Sequence, residues 1–280
     1  MLRQGCISHS LPHLSTRSLA SSAKHPPTPP PAGLGGFPID EPLNSTTLTI
    51  IRHSLARQEH LNEGTQISSS ALAVPNAAVL VPLCNVNGRP GILFEVRGKL
   101  RSHAGEVSFP GGRTDDTDET FLATALRETN EEIGVPSTHI DVLGSFGPPE
   151  LSLRELRVHP FVGFVWPSVV RSPSRKYEAL ASISLADLRP NPPEVSHIFH
   201  LTFSEMFESN RLRIHEFRGY TPYWAIDVTD KVRGLGLEWE KWGGEDEVGG
   251  SGRPGGRGLE IWGLTGWYLN VFLKRIGLYQ

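Results

Sequence analysis

One stretch, from Phe109 to Val135, constrains this chain more than any other. It opens on a pair of glycines, passes through an acid-rich turn and continues into a helical segment. In that segment Glu128, Glu131 and Glu132 are spaced i, i+3 and i+4, which puts three carboxylates on one helix face. Gly134 stands where a left-handed cap would end the helix. The stretch therefore predicts a glycine turn followed by a helix with a carboxylate cluster.

The carboxylate cluster needs an explanation because like charges at these spacings destabilise a helix by about 0.2–0.5 kcal/mol per pair. A divalent cation would reverse the sign, since hard cations prefer oxygen ligands and Mg2+ is commonly held by a few carboxylates together with substrate phosphates. The alternative is a solvated acidic helix face. The glycine pair, Arg127 and the glycine stop at these spacings favour the cation site. The other side of the helix carries a stripe expected to be buried, made of Leu122, Leu126, Thr129 and Ile133.

Two motifs in this region resemble those of a known family. Residues 112–135 resemble the Nudix box, in which the arginine and glutamates of the helix form R-E-x-x-E-E-x-G. The upstream stretch, residues 96–112, is similar to the motif of the coenzyme A diphosphatase branch, and Ile261–Thr265 also resembles that branch. The upstream residues that match are Arg97, Arg101, Gly105, Phe109, Pro110, Gly111 and Gly112.

The chain departs from the family pattern at four points. Gly112 is one residue too far from Arg127 for the general box, and Thr129 fills a position that is usually aliphatic. Glu119 stands at the first glutamate of the box, where the coenzyme A branch requires no acid, so it is not assigned as a ligand. The segment between Arg97 and Arg101 is one residue shorter than the motif.

Helix geometry and the resemblance together suggest roles for the box residues. Glu128 and Glu132, one turn apart, are candidate ligands for Mg2+ or Mn2+, and Glu131 is a candidate for a second ion or for orienting water. Arg127 is expected to point away from the metal face, and the resemblance implies that it pins the box by an ion pair. Candidate catalytic residues are therefore Glu131, Glu132 and Arg127, and candidate metal ligands are Glu128, Glu131 and Glu132.

Substrate binding is expected just before the box. Gly111 and Gly112 would let the backbone approach the phosphates closely. Arg97, Arg101 and His103 are candidate phosphate contacts, although two solvated surface residues would explain Arg101 and His103 equally well. The general base stays open among five carboxylates: Glu131, Glu132, Glu150, Glu155 and Glu194.

The activity implied by the resemblance is metal-dependent hydrolysis of coenzyme A or acyl-CoA to 3',5'-ADP and (acyl)phosphopantetheine. A first alternative is a diphosphatase for ADP-ribose, with Pro149 near the position expected for that subgroup, or for another nucleoside diphosphate derivative. A second is a Nudix fold retained as a noncatalytic binding module. The intact glutamate cluster argues against this module, which would have no use for repelling carboxylates.

Composition narrows the classes of partner. The chain has 280 residues, 38% of them hydrophobic, with a net charge of -3, which gives no indication of nucleic-acid binding. Its two cysteines, Cys6 and Cys84, exclude a disulfide framework and a multi-thiolate zinc site. A run of about 18 apolar residues is missing, so no membrane span is expected. We expect a monomer or a homodimer with a small-molecule substrate.

Residues 1–40 differ from the rest of the chain. The first acidic residue is Asp40, and Arg3, Arg17 and Lys24 lie among many serines before it. This composition is typical of a mitochondrial presequence, followed here by a disordered Pro/Gly linker. A peroxisomal location is the alternative. Residues 41–280 are expected to form the Nudix domain, with a mobile Gly-rich insertion at 231–258 that contains Trp239 and Trp242.

The remaining patterns predict an α+β fold. Strands and helices mix without regular alternation, which favours hairpin-linked strands over a doubly wound sheet. The resemblance sharpens this to a mixed sheet sandwiched between helices (α/β/α), with the box as loop–helix–loop. Helices are expected at Thr46–His60, Ser204–Glu208 and Leu264–Ile276, and strands at Ala73–Asn85, Pro90–Val96, Ile140–Phe146, Val158–Trp166, Leu212–Phe217 and Tyr223–Val228.

Overall fold

The computed structural model describes residues 39–56, 74–98, 105–153, 155–168, 176–236 and 258–279. In these ranges, none of the helices is long and apolar enough to cross a membrane. The helices are α1 Ser45–Ala56, α2 Phe121–Ile133, α3 Phe203–Met206, α4 Thr229–Val232 and α5 Gly263–Arg275. The strands are β1 Asn76–Val86, β2 Arg89–Arg97, β3 Val107–Ser108, β4 Gly111–Arg113, β5 Ile140–Ser145, β6 Glu150–Leu151, β7 Arg157–Val165, β8 Ser182–Ile183, β9 Val195–Thr202, β10 Leu212–Phe217, β11 Thr221–Asp227 and β12 Glu260–Ile261.

The main sheet is mixed, which confirms the predicted α+β class. Its central order is β3-β2-β1-β7-β5, and β9 pairs with β2. Strands β1 and β7 run parallel, whereas β1–β2, β2–β9 and β5–β7 are antiparallel. Two short strands extend the pairing at one end of the sheet, β4 on β1 and β6 on β7. A second sheet of three strands has the order β10-β11-β12.

The β1–β2 hairpin forms where the sequence predicts it. Asn87 and Gly88 occupy the turn with φ of 51° and 75°. A two-residue turn with both central residues left-handed matches the twist of the flanking strands, and Asn-Gly is the preferred pair for it. The turn brings the two long apolar strands together in one register.

Alternate residues of the sheet pack on opposite faces, as the period of two in a strand requires. On β1, Ala78 and Leu80 belong to a buried cluster that also contains Phe121 and Ile133 of α2. Their neighbours point to the other face, where the larger cluster includes residues of α1 and α5. Helices therefore cover both faces, and the predicted α/β/α sandwich is confirmed. The predicted buried residues of α1 and of the last helix are Leu48, Ile51, Leu55, Leu269, Phe272, Leu273 and Ile276, and all are buried.

Three predicted boundaries were wrong. Ile39, assigned to the linker, packs in the main core, because an apolar side chain beside the domain gains by burial. Val232, assigned to the insertion, lies fully buried in α4. Helix α3 is capped by Thr202 instead of Ser204, since Thr202 and Glu205 form a reciprocal capping box. The presequence through residue 38, and Trp239 and Trp242 of the insertion, lie outside the described residues.

Candidate active site

The site begins with the two glycines of β4. This strand pairs with the start of β1, where Val79 is opposite Gly111 and Ala78 is opposite Gly112. Gly111 has a φ of 153°, and a Cβ there would overlap the carbonyl oxygen of Ala78. A Cβ on Gly112 would overlap the carboxylate of Glu128. Glycine is thus needed at Gly111 for β4 to lie against the backbone of β1, whereas a side chain at Gly112 would displace the carboxylate of Glu128.

The caps and burial of α2 set the orientation of the box helix. Thr120 accepts a hydrogen bond from the amide of Ala123 at 3.0 Å, and Gly134 ends the helix at a left-handed φ of 73°, as predicted. Thr129 is fully buried and donates its hydroxyl to the carbonyl of Ala125 at 2.6 Å, which satisfies its polar group. Ile133 of the predicted stripe is buried, whereas Leu122 and Leu126 are partly buried.

The three glutamates lie at different depths on α2. Glu132 is buried, and its Oε2 accepts a hydrogen bond from the amide of Gly111 at 2.6 Å. The side chain of Glu128 is 16% exposed, and that of Glu131 is 49% exposed. Glu128 and Glu132 therefore lie next to β4, called the glycine strand below for Gly111 and Gly112, while Glu131 lies at the solvent-exposed rim of the site.

Arg127 lies among the carboxylates and does not point away from them, contrary to the prediction. Its Nε and Nη2 donate to the two oxygens of Asp118 at 3.0 and 2.9 Å. Its Nη1 contacts Glu128 Oε1 at 3.0 Å and Glu131 Oε2 at 2.8 Å. The turn before α2 carries Asp118 back onto the helix, which draws the guanidinium to this side. The ion pair that pins the box, implied by the resemblance, is therefore made with Asp118.

One carboxylate of the site, that of Glu95 in β2, was not predicted from the sequence. Glu95 is fully buried, and its Oε1 accepts a hydrogen bond from the hydroxyl of Ser108 at 2.9 Å. Arg97 lies 3.9 Å from the same oxygen. An acid inside the apolar run GILFEV of β2 was the signal that could have revealed it, because an ionisable group is rarely buried without a partner.

Burial and mutual repulsion raise the pKa of the deep carboxylates. Burial is the main cause of the raised pKa of Glu132, and the nearby charge of Glu95 adds to it, while the Gly111 amide opposes it. Burial likewise raises the pKa of Glu95, opposed by Arg97 and Ser108 and reinforced by Glu194 and Glu128. The pKa of Glu128 is also raised, mainly by burial. It is therefore energetically unfavourable for Glu95, Glu128 and Glu132 to carry negative charges at the same time.

The remaining candidates lie in different parts of the chain. Oε2 of Glu194 accepts a hydrogen bond from Asn191 at 3.0 Å, and the charge of Glu194 contributes to the raised pKa values of Glu95 and Glu128. Glu150 instead forms an ion pair with Arg218 at 2.9 Å, and Glu155 is exposed at a left-handed turn with a φ of 58°. Arg97 lies beside Glu95 as described. Arg101 and His103 lie outside the described residues.

A divalent cation fits the chemistry of this donor set. Among the described residues, no group of three or more His, Cys, Asp or Glu side chains is already arranged as a metal coordination site. The donors are nevertheless all oxygens, they repel one another, and Oε2 of Glu95 is buried without a hydrogen bond from any described residue. Glu128 and Glu132 are the residues that would hold the cation.

Comparisons with known proteins agree with this geometry. Residues 74–202 match the model of the NUDIX domain. A Cronobacter sakazakii protein called uncharacterized Nudix hydrolase NudL is 45% identical over 105 residues, which are 37% of this chain and 54% of the relative. The Escherichia coli O7:K1 protein of the same name is 42% identical over 110 residues, which are 39% of this chain and 56% of that protein. The chain thus spans about half the length of these relatives.

Two solved structures are similar to part of this chain. One is a binary complex of C. elegans Ap4A hydrolase, with 16% identity and a TM-score of 0.34, covering 45% of this chain and 80% of the other. Another is the NUDIX domain of Shewanella oneidensis NrtR with ADP ribose, with 18% identity and a TM-score of 0.34, covering 52% and 82%. The mixed sheet and the box on β4 and α2 lie within residues 74–202, the part of the chain that matches the NUDIX domain model.

Proposed function

We propose that this chain is a divalent-cation-dependent Nudix hydrolase that cleaves the diphosphate bond of coenzyme A or its acyl esters. The products would be 3',5'-ADP and phosphopantetheine or its acyl form. The main support for hydrolytic activity is the contact between β4 and α2. There Glu132 accepts a hydrogen bond from the Gly111 amide, and the carboxylate of Glu128 lies against Gly112.

The box carboxylates suit a reaction at a diphosphate. A bound Mg2+ or Mn2+ would act as a Lewis acid on the phosphates and lower the pKa of water. Glu128 and Glu132 would hold that ion, and Arg127 keeps Glu128 and Glu131 in place by direct contacts. The missing side chains at Gly111 and Gly112 leave the backbone open to phosphate oxygens. The candidates for the general base in this site are Glu131, Glu132 and Glu194.

The choice of coenzyme A rests on the stretch before the box. Residues 96–112 resemble the coenzyme A diphosphatase motif. The backbones of Arg97 and Glu106 pair at 2.9 Å, and the amide of Gly105 donates to the carbonyl of Arg97 at 2.9 Å. Arg97 and Gly105 therefore lie side by side at the end of β2, close to Glu95. Arg101 and His103, which lie between them in the sequence, are the proposed phosphate contacts.

The test is product analysis with a panel of diphosphates. The purified chain is incubated with Mg2+ or Mn2+ and with coenzyme A, acetyl-CoA, ADP-ribose, NADH or diadenosine tetraphosphate, and the products are identified by mass. We expect 3',5'-ADP and phosphopantetheine species to form fastest. Glu128→Gln serves as the active-site control and Glu119→Gln, a change of the same chemistry at an exposed residue, as the matched surface control.

The outcomes separate the proposal from its alternatives. Preferential cleavage of ADP-ribose to AMP and ribose 5-phosphate would overturn the choice of coenzyme A and retain the hydrolase. A folded chain that cleaves none of the panel with either cation would favour a noncatalytic binding module. Equal loss of activity in Glu128→Gln and Glu119→Gln would argue against a specific role for the buried box carboxylates.

A further inference from the structure

Glu95 faces the box helix because of its place in β2. Side chains alternate along a strand, so Glu95 shares its face with Leu93, two residues earlier. Leu93 packs in the buried cluster under α2. Directly across the sheet, Glu95 is opposite Ser108 of β3 and Ile198 of β9, and Ile198 belongs to the same cluster. The carboxylate is therefore held beneath the box by three neighbouring strands.

The two oxygens of Glu95 have different surroundings. Ser108 and Arg97 both lie against Oε1, at 2.9 and 3.9 Å. Oε2 is buried and receives no hydrogen bond from the residues that the structure describes. Ser108, which holds Oε1 of Glu95, lies three residues before Gly111, whose amide donates to Oε2 of Glu132 at 2.6 Å. The unpartnered oxygen therefore belongs to a carboxylate within the cluster around the glycine strand.

We infer that Glu95 is a cation ligand outside the Nudix box, whose unpartnered Oε2 joins Glu128 and Glu132 in binding the divalent ion. This inference rests on the proposed metal-dependent function and adds a ligand from the sheet to those of the helix. A buried carboxylate without a full set of partners is costly unless it is paired or coordinates a metal. The Ser108 hydrogen bond orients the group by its other oxygen, as partners of ligating carboxylates do.

The competing explanation makes Glu95 a structural residue. In that case its carboxylate would serve to bind Ser108 and Arg97, and removal of its charge would destabilise the chain with or without a cation. A ligand behaves differently, because its charge repels the other glutamates until the cation is bound. Stability measured with and without cation therefore discriminates between the two roles.

The experiment measures the binding of Mn2+ alone by calorimetry and the thermal unfolding of each protein with and without Mn2+. The proteins are the wild type, Glu95→Gln, and Glu119→Gln as the matched loss of charge at an exposed residue near the box. Glu95→Gln should weaken Mn2+ binding by about 10–100-fold, the effect typical of metal-site partners, and Glu119→Gln should leave it unchanged. Without Mn2+, Glu95→Gln should melt at or above the wild-type temperature, and with Mn2+ below it.

A second variant keeps the test valid if Glu95→Gln does not fold. Ser108→Ala retains the carboxylate and removes the bond that orients it, so Mn2+ affinity should fall by about 10-fold. Wild-type Mn2+ affinity in Glu95→Gln, or in Ser108→Ala if only that variant folds, would overturn the inference. If the wild type still bound Mn2+ and hydrolysed its substrate, the proposed function would stand. A wild type that neither binds Mn2+ nor hydrolyses any diphosphate would overturn both.

Discussion

Arg127 is expected to contribute more to stability than its position on a helix surface suggests. It makes two hydrogen bonds to the carboxylate of Asp118, at 3.0 and 2.9 Å, and a third to the carbonyl of Arg113 at 3.0 Å. The Asp118 carboxylate also accepts bonds from Thr124 and from the amide of Asp115, and the hydrogen bonds of Arg127 are the main cause of its lowered pKa. Removing Arg127 would leave a nearly buried charge without its counterion.

The magnitude follows from that burial. Removing one partner of a buried ion pair costs about 3–5 kcal/mol. The Arg127 side chain is 27% exposed, so we take the lower end, about 3 kcal/mol, for Arg127→Ala. At about 2–4 °C per kcal/mol for a domain of this size, the melting temperature should fall by about 6–12 °C. Arg127→Lys keeps the charge and loses the planar fork, so it should cost about half as much.

The assay is a double-mutant cycle of Arg127→Ala and Asp118→Asn by urea unfolding. We expect a coupling free energy of about 1.5–3 kcal/mol, the range for hydrogen bonds to charged groups. Arg113→Ala is the matched control, because its side chain is exposed and only its backbone carbonyl takes part, and it should change stability by less than about 0.5 kcal/mol. A coupling free energy below about 0.5 kcal/mol, or an unchanged melting temperature in Arg127→Ala, would refute the role assigned to the ion pair of Arg127 and Asp118.

Four further outcomes are expected. Glu132→Gln should keep the fold, since its amide oxygen can still accept from Gly111, and lower turnover by about 10–100-fold or more at saturating Mg2+; wild-type turnover would remove Glu132 from the site. Arg101→Ala should slow hydrolysis of coenzyme A by about 10–100-fold and spare dephospho-coenzyme A, which lacks the 3'-phosphate; equal slowing of both would place Arg101 elsewhere. Residues 1–40 fused to a fluorescent reporter should carry it to mitochondria, and a diffuse cytosolic signal would contradict this. Burial lowers the pKa of His200 to about 4. The neutral imidazole therefore favours the folded state fully above about pH 6.5, and this contribution to stability is lost as the pH falls towards 4. In urea titrations over that interval, the free energy of unfolding should fall by about 2–3 kcal/mol more in the wild type than in His200→Gln.

The elements whose signals lie within a few residues were predictable from the sequence. The β1–β2 turn follows from Asn87-Gly88, which accepts two left-handed residues at little cost. The box helix follows from its spacing of glutamates and from Gly134 at its end. Burial of the last helix follows from the stripe of apolar residues along α5. Each of these signals acts through local backbone geometry or helix periodicity, which need no knowledge of the rest of the chain.

Other features depend on contacts between distant parts of the chain, and only the tertiary structure decided them. The parallel pairing of β1 with β7 joins Asn76 to Arg157, a neighbour that no local pattern specifies. The direction of Arg127 depended on where the preceding turn carried Asp118. Glu95 became part of the site because β2 lies between β3 and β9 under the box helix, which turned one acid in an apolar strand towards the glutamates. Long-range packing determines which side chains share a face, and for this reason the sequence alone predicted the box but not the carboxylate beneath it.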